Sequence, residues 1–226
     1  YAQVCFEGDA TLESVVITRE LSCSSFLAGY GVVEVSSNRT VHLQGCTIDG
    51  KCSGAAVRVK GSGSKLRAVS SSMYSSKWSG LYVEEEGQAA LERCKADGNG
   101  VNGWQVEGGI SSLSAHDCSA SGNAGSNAQI SGGASAYFVR CTIDNSKLCG
   151  LAITGKATAA ADASSISGNK ADNVQASSCS SVKLRGCACC GSDQGGWRAH
   201  GVGTTITVDA ACTENGNARE SGEYGG

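Results

Sequence analysis

The 226-residue chain contains no proline. Irregular loops normally draw on it, so the turns here must be built from other residues, and the 32 glycines supply them. Aromatic residues make up only 5% of the chain, against 40% hydrophobic residues in all. That excludes a bulky globular core and favours a thin one of Val, Leu, Ile, Ala, Ser and Cys. An excess of one charge is also missing: the net charge is −3, with Lys and Arg scattered. Nucleic acid needs a basic stripe, so it is not an expected partner. No apolar run approaches membrane-spanning length, and no signal peptide is recognisable. The expectation is a soluble protein that does not span a membrane, secreted or held in an organelle lumen after loss of a leader.

Cysteine is the residue in excess, with thirteen copies. An odd number leaves at least one without a partner inside the chain. Disulfide frameworks at this density belong to chains under about 100 residues. Zinc needs paired CxxC elements, because two thiolates from each must reach one tetrahedral ion. The stretch "CACC" at Cys187 to Cys190 lacks a matching second half. No metal and no cofactor are therefore expected.

The cysteine spacing is that of a repeat. Anchors fall at Cys23, Cys46, Ser72, Cys94, Cys118, Cys141, Ser164, Cys187 and Cys212, in steps of 22 to 26 residues. Three before the anchor stand Leu43, Val69, Leu91, Ala115, Phe138, Ala161 and Leu184, alternating with polar neighbours. A second apolar row follows about twelve after it: Val35, Val59, Val83, Val106, Ile130, Ile153 and Ala176. Strict alternation over short runs signals strands with one buried face. Gly-Asn pairs recur four and five after the anchor, ending in Asn99, Asn123, Asn169 and Asn217.

A unit of two or three short strands cannot bury its apolar face alone, but stacked copies can. Propeller blades and leucine-rich repeats have other periods or signatures. The expected fold is all-β: a single-domain parallel β-helix of about nine coils, spanning 1–218, with a short flexible tail at 219–226. The anchors become an interior column of small side chains, mostly free thiols, since stacked parallel Cβ vectors suit a disulfide poorly. The Gly-Asn column supplies left-handed turn residues and stacked amides. On the recurring "C-x-x-x-G-N" after an apolar strand and the 22–26 period, the chain resembles the right-handed parallel β-helix families of the pectate-lyase-like group. That resemblance implies the handedness and covers nearly the whole chain. The group holds polysaccharide lyases, hydrolases and epimerases, carbohydrate-binding repeats and non-catalytic interaction domains, so it does not choose an activity.

The candidate sites lie on outward columns. Glu92 and His116 sit on adjacent turns with Arg140 nearby, an arrangement able to do acid–base work, though polar partners also stack on any solvated sheet. The duplicated "CTID" (Cys46–Asp49, Cys141–Asp144) lacks the further elements of polygalacturonase-like hydrolases. Trp78, Trp104 and Trp197 near equivalent turns, with Tyr82 and Tyr137 pointing outward, are candidate contact residues for carbohydrate or protein. Gln105, Gln129 and Gln175 make a partial polar ladder. "TTITV" at Thr204 to Val208 is isolated, so no ice-binding array is indicated. With short turns and no acidic cluster, the residues favour a non-catalytic scaffold or accessory subunit. Its protein partner would sit at the open ends of the coil or on one sheet face, since neither end shows a capping helix. The alternative is a module that binds or processes polysaccharide.

Overall fold

The structure, a computed structural model, describes residues 4–5, 8–18, 31–51 and 54–224. Among them there is no helix. The chain winds as a parallel β-helix with three sheets. Sheet A has ten strands and sheet B nine, every pairing parallel and every neighbour one coil away. The short third sheet, C, comes as groups of three and four strands, bridged through Lys95. Nine stacked strands in sheet B enclose eight full turns, slightly fewer than the nine coils expected. Strand Gly222–Tyr224 pairs with Trp197–His200, so sheet A continues into the segment read as a tail.

One coil shows the logic. Trp104–Glu107 lies in sheet A, Ser112–His116 in sheet B and Ser119–Ser121 in sheet C. Along sheet B the buried column reads Leu43, Ala68, Leu91, Ala115, Phe138, Ala161, Leu184. Large and small side chains alternate, so each bulky group fills the space over its small neighbours. Trp104 works the same way across the core. It neighbours Ala128 in sheet A and stacks on Phe138 at 5.6 Å between ring centroids.

Two residues, a left-handed one and then the anchor, carry the chain from sheet B to sheet C. The first is Ser14, Gly45, Ser70, Arg93, Asp117, Arg140, Ala163 or Gly186, and all have φ between 48° and 62°. This left-handed bend removes the next amide from the strand ladder, and the anchor column restores its partner. The Cys46 N–H donates to Ser71 Oγ at 3.1 Å, Cys94 N–H to Cys118 Sγ at 3.3 Å, Cys141 N–H to Ser164 Oγ at 3.0 Å and Cys187 N–H to Cys212 Sγ at 3.3 Å. In return Ser71, Ser164 and Cys118 donate to the carbonyl two residues back. A thiol or hydroxyl serves both roles, which explains why Ser and Cys share the column.

Two anchors move. The column residue between Cys46 and Cys94 is Ser71, not Ser72, which pairs with Lys95 in sheet C. Ala68 is consequently the buried residue of that strand, and Val69 belongs to the outer face. Cys23 lies outside the described residues. The place before Cys46 is held by Val15, whose carbonyl accepts the Thr47 N–H at 2.9 Å. The ten described cysteines whose side chains are placed are all free thiols.

The asparagines form a continuous buried ladder. Asn99 N–H and Nδ2 both donate to Asn123 Oδ1 at 2.9 and 3.0 Å. Asn123 Nδ2 donates to Asn127 Oδ1 at 2.7 Å, and Asn127 Nδ2 to Asn169 Oδ1 at 3.3 Å. Asn169 Nδ2 donates to Asn173 Oδ1 at 2.8 Å, and Asn173 Nδ2 to Asn217 Oδ1 at 3.4 Å. Asn127 and Asn173 open their coils and reach the gaps left where Ser146 and Ser192 replace a ladder asparagine. Where the ladder asparagine is present, the opening residue is glycine. A Cβ on Gly103 would lie 2.8 Å from Asn123 Nδ2, and one on Gly150 2.7 Å from Asn169 Nδ2.

Candidate functional site

The outer face of sheet A is closed by its own side chains. Arg58 Nε donates to Glu84 at 2.6 Å, and its guanidinium also reaches Glu34 at 3.6 Å. Tyr82 points away from the core, yet it is buried: Trp78 packs against its ring at 5.3 Å and Arg58 sits 6.0 Å from the ring centroid. Its hydroxyl donates to Glu107 at 3.0 Å. Burial, aided by Glu84 and Glu107, pushes this phenol far above its usual range. Gln105 accepts from Ser79 and Asn102, which also donates to Gln129. These partners leave little for a ligand. Trp104 is fully buried and offers no platform, because its place opens the strand on the inward face. Trp78 and Trp197 are half-buried. Of the five aromatic candidates, Tyr137 alone is exposed.

Sheet B is different. In register, one outward column runs Arg67, Ala90, Ser114, Tyr137. Two small residues between two long ones leave a hollow in the sheet surface. Two abutting open depressions, about 480 and 560 Å³, share Arg67, Ala90 and Ser114. Lys65 and Arg67 form one wall and Tyr137 the other. Glu92, His116 and Arg140 line the margin at the bend into sheet C.

The three sequence candidates thus meet at one place, but not as a relay. Glu92 and His116 are register neighbours, yet Glu92 pairs with Arg93. His116 Nε2 lies 3.2 Å from Ser114 Oγ, and its ring stands edge-on to Tyr137 at 6.0 Å. Arg140 grips Asp117 through Nε and Nη2, both at 2.7 Å. The Arg140 hydrogen bonds hold the Asp117 carboxyl below the usual carboxylate range, and Asp117 in turn raises Arg140. Tyr137 donates to Asp162 at 2.6 Å, which raises the phenol. Asp162 also lies 3.7 Å from Arg185.

Lys65 and Arg67 remain. Both are exposed, and neither makes an ion pair among the described residues. Sequence reasoning passed over both, and the small floor residues Ala90 and Ser114 as well. The arrangement can attract an anion to a shallow hollow with an aromatic wall. Among the described residues, no group of His, Cys, Asp or Glu side chains is placed to hold a metal ion. No described helix is long and apolar enough to cross a membrane.

Residues 14–165 match the family model for the right handed beta helix region. No curated protein sequence matches the chain. Among solved structures, the A-module of the Azotobacter vinelandii mannuronan C-5 epimerase AlgE4 superposes with a TM-score of 0.53 at 10% identity, covering 97% of this chain and 78% of that one. At that identity the likeness is one of fold. The plasmid-mediated fluoroquinolone resistance protein QnrB1 gives a TM-score of 0.23 at 15% identity over 92% of this chain and 91% of that one.

Proposed function

We propose, from the premise that this chain belongs to the right-handed β-helix family, that it is a non-catalytic binding module holding an acidic polysaccharide on the outer face of sheet B. One observation carries the reading: among the described residues, Lys65 and Arg67 have no acidic partner, and they stand beside a hollow floored by Ala90 and Ser114. Unpaired cations at an open surface complement a carboxylate-bearing ligand. Tyr137 supplies the apolar ring edge that sugar contacts use. The non-catalytic part rests on the acids. Glu92 and Asp117 are each paired with an arginine, and neither is hydrogen-bonded to His116, so the hollow holds no carboxylate–imidazole pair set for acid–base work.

The test is titration calorimetry with an oligogalacturonate and with its methyl ester, alongside an assay for unsaturated or new reducing-end products. The acid form is expected to bind, the ester to bind weakly, and no product to form. Arg67→Gln is expected to weaken binding roughly fivefold, the value of one exposed ion pair. Absence of binding by the acid form would refute the site. Product formation abolished by Glu92→Gln or His116→Ala would refute the non-catalytic reading. Failure with glycans, together with a stoichiometric protein partner, would return the chain to the protein scaffold that its short turns also suit.

A further inference from the structure

The column that holds the hollow does not stop at Tyr137. Its register continues through Ala160 to Lys183. Arg67 and Lys183 are therefore in line along the rod, five strand steps apart, a separation of about 24 Å at the spacing of paired strands. Both are exposed. Like Arg67, Lys183 makes no ion pair among the described residues. Between them the column carries Ala90, Ser114, Tyr137 and Ala160, so only Tyr137 rises from the floor. Of the acids beside this path, Asp162 is engaged by the Tyr137 hydroxyl at 2.6 Å and lies 3.7 Å from Arg185, and Glu92 and Asp117 pair with Arg93 and Arg140.

We infer that the ligand is an extended polyanion lying along the rod axis, across the strands, with one anionic group at Arg67 and Lys65 and another at Lys183. This rests on the reading of sheet B as an anion-binding face and adds the ligand's direction and minimum length. A stacked β-helix suits the task, because its register keeps the two cations in line at a fixed distance. Two weak contacts on one rigid support reinforce each other once a single ligand spans both, since the second contact forms at high effective concentration.

The test uses the full chain and oligogalacturonates of two lengths, one too short to bridge Arg67 and Lys183 and one longer than about 24 Å. The longer oligomer is expected to bind at least about tenfold tighter. Lys183→Gln, at an exposed position that leaves the fold intact, should remove that gain and leave the short oligomer unaffected. Equal affinity for both lengths, or a long oligomer indifferent to Lys183→Gln, would overturn the inference while leaving the Arg67 site standing. Failure of both lengths to bind at low salt would remove the underlying site and the inference with it. A long oligomer that binds where the short one does not, and loses binding in Lys183→Gln, would support it.

Discussion

Replacing Cys118 separates two accounts of the anchor column. If the thiol is only a small apolar filler, alanine should be tolerated and serine should cost more. If its task is to accept the Cys94 N–H at 3.3 Å, the order reverses. Cys118→Ala leaves that buried amide without an acceptor, at about 1–3 kcal/mol. It also deletes a buried sulfur, a loss of about 1 kcal/mol by comparison with a methylene. The expected destabilisation is about 2–4 kcal/mol. Cys118→Ser keeps an acceptor for Cys94 and a donor to the His116 carbonyl, and should stay within about 1 kcal/mol. Ser164 provides the mirror case, since it accepts from the Cys141 N–H at 3.0 Å: Ser164→Cys should be mild and Ser164→Ala costly. Equilibrium urea unfolding, followed by far-ultraviolet circular dichroism, reads all four variants. Alanine at 118 equal to or more stable than serine would refute the reasoning.

Three further outcomes are expected. Asn123→Ala removes four buried hydrogen bonds and should destabilise by about 3–5 kcal/mol in the same urea experiment, whereas exposed Asn215→Ala should change little. Asp117 should titrate below the ordinary carboxylate range, and Arg140→Gln should return it there, as followed by carboxyl-carbon nuclear magnetic resonance. Since the folded value is the lower one, the stability this pair contributes is fully present above the unfolded carboxylate range and is lost as pH falls through the folded value. Cys179, the exposed thiol among those described, should react first with a thiol reagent in the native state. Cys149, which burial pushes up to about 12, should wait for unfolding.

The coil and its period are legible in the sequence because every turn restates the same inward pattern. Individual registers are harder. In the run Val69-Ser70-Ser71-Ser72, any of three serines satisfies the spacing, and only the hydrogen bond to Cys46 N–H selects Ser71. A one-residue slip in a strand exchanges its two faces: counted from Ser72, Val69 falls inside, whereas Ala68 is the buried residue. The hollow is hard to read for another reason: Ala90 and Ser114 matter through their small size, and no reactive group marks their column. Tyr82 shows the limit of alternation. Its direction is readable from the pattern, but its cover, Trp78 and Arg58, comes from elsewhere in the stack. The place before Cys46 is harder still to read, because Val15, which holds it, is not a cysteine or serine and precedes Cys46 by more than one period.

The amide ladder sets where this rod can be cut and rejoined. From Gly80 onward, each coil opens with glycine and closes with asparagine, as at Gly103 and Asn123 or Gly150 and Asn169, or it opens with asparagine and closes with serine, as at Asn127 and Ser146 or Asn173 and Ser192. The two residues of a pair are about twenty apart, yet they share one volume. A coil transplanted from just before its sheet A strand to just after its closing turn carries both halves and keeps that volume filled once. A cut at the cysteine, where the sequence most plainly repeats, would join a glycine opening to a serine closing and leave a void, or set two amides in the same space. The transferable module of this protein is therefore phased to its asparagines, out of step with the cysteines that advertise the repeat.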